Sequence, residues 1–104
     1  MSAPTHALHL SIQAHQDLVR LEEFLWTAGD PHASELIAFV LDGLQVLSHQ
    51  PGIGRPVEGG LRALNINRGR TGYVARYARD PAVEAVRVLR IRHQREAGYT
   101  DDEV

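Results

Sequence analysis

The spacing of hydrophobic and polar positions changes along the chain, and each change marks an element. Residues 6–12, HALHLSI, alternate, which predicts a short strand. From about Gln13 the period lengthens: Ala14, Leu18, Leu21 and Leu25 lie four, three and four residues apart. This is one stripe of an amphipathic helix, with Asp17, Arg20 and Glu23 lying off it and Gly29 ending it. Asp30–Pro31 then opens a second helix, a capping side chain followed by a proline whose missing N–H costs nothing in the first turn. Its stripe is Ala33, Ile37, Val40, Leu44 and Leu47, widened by Leu36 and Leu41, and it runs to about His49 before Pro51 and Gly52. So short a link at Gly29 predicts an antiparallel helical hairpin, and Trp26 is read as an anchor of that hairpin rather than of a partner.

QPGIGRPVEGG is turn-rich and carries the chain to a second layer. Its glycines precede a strand rather than a helix and lack a following Lys and Ser or Thr, so they are turn chemistry and not a phosphate loop. LRALNIN (61–67), GYVARYA (72–78) and residues 85–93 read as three strands, joined by RGRTG and RDPA in links suited to antiparallel hairpins. In the last strand Ala85, Arg87, Leu89, Ile91 and His93 point one way, and Val86, Val88, Arg90 and Arg92 the other. The order β-α-α-β-β-β gives an α+β fold of two layers. An N-terminal strand and an antiparallel helical hairpin pack on a small, mainly antiparallel four-stranded sheet whose second face is partly open. One domain spans 1–104, with residues 100–104 expected to fray.

Composition alters this picture in one respect. Apolar residues make up 43% of the chain, enough for a globular core, and no apolar run approaches the ~18 residues of a membrane span. A cytoplasmic protein is the default expectation. Cysteine is absent, which excludes disulfides and thiol chemistry. The net charge of −2 hides a segregation: residues 1–54 carry one arginine against six acids, and residues 55–95 ten arginines against three. There is no lysine. Arginine offers a rigid bidentate fork, so the second half is a candidate surface for a polyanion or an acidic partner.

The candidate chemistry follows that segregation. Arg62, Arg76, Arg90 and Arg92 come from three successive strands, with Arg68 and Arg70 in the turn between two of them. They form either a phosphate clamp or a solvated outer face. His93 ends the last strand and suits a general acid or base, or a structural hydrogen bond at the end of the sheet. Tyr73 and Tyr77 share strand parity, so core packing competes with base stacking as their role; Tyr99 lies beyond the strand, within reach of the arginines. The other histidines have no recurring ligand spacing, and neither a metal nor a cofactor is expected.

The stretches HLSIQAHQDLVRLEEFL, PGIGRPVEGGLRAL and GYVARYARDPAVEAVRVLRIRHQREAGY span nearly the whole chain. With P-G-I-G-R-P, G-L-R-x-L and I-R-H-Q-R-E in that order, the chain resembles the RelE/ParE superfamily of toxins from bacterial type II toxin–antitoxin modules. The resemblance implies the same two-layer fold, plasmid stabilisation or growth inhibition as a role, and a cognate antitoxin as partner, in a toxin–antitoxin heterotetramer. RelE-like members cut messenger RNA on the ribosome. If this chain did so, Arg62 and Arg76 would hold the phosphate and His93 or Tyr99 would transfer the proton, with Arg90 or Arg92 assisting. ParE-like members inhibit DNA gyrase. The missing lysines and the acidic balance depart from the ribonuclease pattern, and the ending RIRHQREAGY resembles the ParE side more closely, which makes gyrase the expected target. A third reading is a degenerate relative that only binds its antitoxin. Arg62, Arg68, Arg70, Arg76, Arg92 and Arg95 are the expected partner or nucleic-acid contacts. Arg62, Arg76 or Arg90 is expected to meet an antitoxin segment rich in acids and leucines.

Overall fold

The computed structural model describes residues 5–69, 71–80 and 82–96. Strand β1 (Ala7–Leu10) leads through Ser11 into helix α1 (Ile12–Thr27). Ser11 makes this sharp switch possible. Its Oγ accepts the N–H of Ala14 at 3.0 Å, capping the helix, and donates to the carbonyl of Leu89 at 2.7 Å, tying that cap to the last strand. Helix α1 ends in a Schellman motif. Gly29 takes φ +74°, its N–H bonds the carbonyl of Trp26, and the N–H of Asp30 bonds that of Leu25.

The second helical segment is more broken than its hydrophobic stripe predicts. A 3-10 turn (Ala33–Glu35) precedes α2 (Leu36–Leu44), and a second 3-10 turn (Gln45–Ser48) follows it. The Asp30 carboxylate closes on the N–H of His32, two residues on, rather than capping a full first turn. Ala33, Leu36, Val40, Leu44 and Leu47 are buried, so Leu36 takes the position that the sequence pattern assigns to Ile37. Trp26 does not anchor the hairpin: it is 60% exposed.

The sheet has the order β1-β5-β4-β3-β2, with β3 (Arg62–Arg68), β4 (Thr71–Asp80) and β5 (Ala85–His93) as the three expected strands. A fifth, two-residue strand, β2 (Arg55–Pro56), pairs antiparallel with β3 inside the turn-rich connector. Strand β1 is parallel to β5, and the other pairings are antiparallel. The helical hairpin covers one face. Leu18, Leu21, Leu36, Val40 and Leu44 pack on Ile66, Tyr73, Ala75, Tyr77, Val86, Val88 and Ile91.

A β-bulge corrects the alternation read for β5. Tyr77 faces Val88, but Arg76 faces Arg90, so Leu89 is an extra residue without a partner on β4. Beyond it every side chain changes face. Ile91 therefore joins Val86 and Val88 in the core, all three at 0% exposure, and His93 faces Tyr73 on the helical side.

Candidate functional site

The register sorts the arginines. On β3 and β4, Arg62, Leu64 and Ile66 face Tyr77, Ala75 and Tyr73, the core residues, whereas Ala63 faces Arg76. Arg76, Arg90 and Arg92 thus share one face of the sheet, and Arg62 lies on the other. This corrects the reading of Arg62 and Arg76 as a joint clamp. Arg62 instead donates from Nη1 to the carbonyl of Gly54 at 2.7 Å, holding the connector in place.

The face that Arg76, Arg90 and Arg92 share is not an open array either. Val74 and Ala63 are buried there, and the three arginines are half-buried. Arg90 forks onto Asp17 of α1, with Nε to Oδ2 at 2.9 Å and Nη2 to Oδ1 at 3.1 Å. Asp17 Oδ2 also accepts the N–H of Ile91 at 2.8 Å. Beyond the end of β1, this carboxylate satisfies an edge N–H of β5 that no neighbouring strand reaches. Asp17 is 3% exposed. The sequence pattern placed it off the helical stripe, yet it stands three residues after Ala14 and four before Leu21, inside the stripe it was excluded from. An acid at such a position signals a buried cation.

Arg92 donates to the carbonyls of His93, Gln94 and Glu96 and so caps the turn after β5. Glu96 accepts from Arg20 Nη1 at 2.8 Å and from the N–H of His93 at 2.8 Å. Arg20 lies 3.9 Å from Asp17, which links helix, strand and turn in one charged chain. Arg70 and Tyr99, expected at the site, lie outside the described residues.

On the opposite, helical side a cavity of about 500 Å³ opens between the hairpin and the ends of β3, β4 and β5. Leu21, Phe24, Leu25, Leu36, Phe39 and Tyr73 line it, and Arg20, Arg68, Arg95, Asp30, His93 and Glu96 edge it. Its size falls in the range that holds a small molecule or an inserted side chain. Tyr73 joins two edge-to-face contacts, to Phe39 at 6.5 Å and to His93 at 5.4 Å. The Arg68 guanidinium sits 5.1 Å above the Phe39 ring and bonds Glu35 at 2.9 Å. That hydrogen bond is the main influence holding Glu35 below its ordinary value. Burial pushes the Tyr73 hydroxyl up, so it remains a proton donor. Of the expected site residues, Arg68, Arg95 and His93 meet at this cavity, and Arg62, Arg76 and Arg90 do not line it. Tyr73 and Tyr77 are both core residues.

His93 Nδ1 accepts the N–H of Arg95 at 3.0 Å, which leaves the ring proton of the neutral form on Nε2. Burial pushes its pKa below the ordinary histidine value; Arg95 and Arg92 act in the same direction and Glu96 against it. The unfolded chain therefore takes up the proton first as pH falls. Stability is fully present above about pH 6.5 and is lost as pH drops through the lowered folded value. Urea melts at pH 7.5 and at pH 5 should show this loss, and His93→Gln should make it shallower. An unchanged slope in the variant would remove His93 as its source.

The family model for the ParE toxin of type II toxin–antitoxin systems (parDE) matches residues 8–98. Toxin RelE3 of Caulobacter vibrioides is 30% identical over 90 residues, covering 86% of this chain and 96% of the relative. A structure of the chromosomal ParDE system from P. aeruginosa superposes with TM-score 0.70 at 21% identity, covering 88% of this chain and 98% of that one. The RelBE2 toxin–antitoxin complex of Mycobacterium tuberculosis gives TM-score 0.60 at 24% identity, over 86% and 99%. At these identities the two structures establish a shared fold.

Proposed function

Because the chain belongs to the ParE toxin family of type II toxin–antitoxin systems, we propose that it arrests growth by inhibiting DNA gyrase and is silenced by its cognate antitoxin. One observation carries the choice of target: the arginines that RNA cleavage would need do not converge. Cleavage through the 2′-hydroxyl requires cations around the phosphorane, together with an acid and a base. Here Arg62 holds the connector from the opposite face, Arg90 is forked on Asp17, and Arg92 caps the turn after β5. His93, the candidate proton-transfer group, faces the helical side with Tyr73 and not the face of Arg76. A non-enzymatic toxin has no need of that convergence. The messenger-RNA reading has its own support, the name of the relative from Caulobacter vibrioides.

A type II module pairs the toxin with an antitoxin, and the cavity is the surface that suits one. An antitoxin segment with leucines for the Phe24–Phe39–Tyr73 lining and acids for Arg68 and Arg95 would match it in both shape and sign. This moves the expected contact away from Arg62, Arg76 and Arg90.

The test is a supercoiling assay with purified gyrase, run beside primer extension on transcripts after induction in cells. Inhibited supercoiling with intact transcripts is the expected result. Cuts within translated codons and unaffected gyrase would assign the chain to the messenger-RNA cleaving branch. Growth without arrest would leave antitoxin binding as its role. Phe24→Asp, at a position 68% exposed, should keep its effect on gyrase and lose relief by antitoxin.

A further inference from the structure

Helix α1 has a second apolar side. Ala14, Leu18 and Leu21 face the core, while Ile12, Val19 and Trp26 are 73%, 49% and 60% exposed. Their spacing is seven and seven, two helical turns or about 10.5 Å each way, with only ~20° of drift per step. The three side chains form one line along the outer surface of α1, on the far side of the helix from its buried stripe. A shallow groove lies over the middle of that line, bordered by His15, Gln16, Arg20 and Glu23 around Val19.

The line is centred on Val19, with His15 and Gln16 before it and Glu22 and Glu23 after it. A two-fold axis through Val19 sets Ile12 against Trp26 of a second copy and Val19 against Val19. It sets His15 beside Glu22 on one side of the seam and Gln16 beside Glu23 on the other, so no carboxylate meets another. A parallel pairing would instead set Glu22 on Glu22, with like charges opposed. An isologous interface requires such a self-complementary patch, and a two-fold patch fits a copy of itself better than an unrelated surface.

From this we infer that the outer face of α1 is a self-association surface, which takes a second copy of this chain as an antiparallel helix pair centred on Val19. The cavity shares only Arg20 with the groove on this face, and none of Ile12, Val19 and Trp26 lines it, so the inference does not depend on the cellular target. A contact made by one helical face buries less than the ~1,200 Å² of a standard interface, which makes this a transient dimer.

The absence of cysteine makes the geometry directly testable. Helices in contact lie about 8–10 Å apart, which brings facing positions within disulfide reach. In the full-length chain without antitoxin, Val19→Cys should form a disulfide-linked dimer under mild oxidation. Ile12→Cys and Trp26→Cys should each cross-link poorly alone and well when mixed. Val83→Cys, more exposed than Val19 at 65% but outside the helix, is the control. Val19→Glu should weaken the dimer seen in sedimentation by roughly tenfold or more. Cross-linking of Val19→Cys no faster than the control would overturn the inference. So would efficient self-cross-linking of Ile12→Cys, which would mean a parallel pair. Protection of the Val19→Cys thiol only when antitoxin is added would assign the face to the antitoxin, and that too would overturn it.

Discussion

Asp17→Ala should lower the stability of the fold by about 3–5 kcal/mol, the cost of removing one partner of a buried ion pair. The carboxylate is 3% exposed and the Arg90 side chain 15%, so neither group can turn to water without moving the helix. Alanine leaves the Arg90 fork without its acceptor, and it also orphans the N–H of Ile91 at the edge of β5. A domain of this size has a total stability of roughly 5–15 kcal/mol, so the loss is a large share of it. The thermal midpoint should fall by roughly 15–30 °C. Asp17→Asn should cost less, because its amide oxygen can still accept from Ile91. The double variant Asp17→Ala with Arg90→Ala should recover part of the loss, since no unpaired cation remains. A drop below about 1 kcal/mol for Asp17→Ala would mean that the pair is solvated and does not fasten α1 to β5.

Gly54→Ala is the second large effect, at about 3 kcal/mol. A Cβ built on Gly54 would stand 2.7 Å from both the Ala63 carbonyl oxygen and the Tyr77 hydroxyl, and 2.8 Å from the Tyr77 ring. None of these can retreat cheaply. The carbonyl is β3 backbone, and Tyr77 is fully buried. The hydroxyl itself is held twice, donating to the Pro51 carbonyl at 2.7 Å and accepting the N–H of Gly54 at 2.9 Å. The added methyl therefore overpacks the core and pulls the connector off the buried Tyr77 hydroxyl that anchors it. Gly52→Ala, where a Cβ meets nothing within 4 Å, is the matched control and should change stability little. Denaturant melts of the two variants read the contrast directly, and equal midpoints would show that the connector gives way freely.

The sequence carried most of the architecture and rather little of the site. The stripe Ala14–Leu18–Leu21–Leu25 and the alternating strands fixed α1 and the three C-terminal strands to within two residues at either end. Periodicity reports burial, and burial decides where elements lie. It failed where burial is not apolar or where the period breaks. Asp17 is buried because a partner 73 residues later neutralises it, which no local window contains. The bulge at Leu89 does leave a mark in residues 85–93, because the apolar phase shifts from Val86 and Val88 to Ile91 across the adjacent pair Val88–Leu89, but strict alternation reads through it and mixes arginines with apolar residues on both faces. Arginines that look alike in the sequence therefore separate in space: Arg62 goes to the connector, Arg90 to the helix, Arg68 and Arg95 to the cavity. Strand β2 escaped notice because two residues, one of them proline, show no period at all.

The parallel pairing of β1 with β5 has a consequence for how the protein is made. Strand β1 and helix α1 leave the ribosome well before β5, on which both pack. Until Ala85–His93 is synthesised, the apolar side of α1 has no sheet beneath it, and Asp17 has neither Arg90 nor the Ile91 N–H. Contacts that close so long a stretch of chain form late and slowly. The fold should therefore close as a unit only once β5 is made, and a chain lacking β5 should not fold. In a member of a toxin family, the appearance of the folded chain is in this way separated in time from the start of its synthesis.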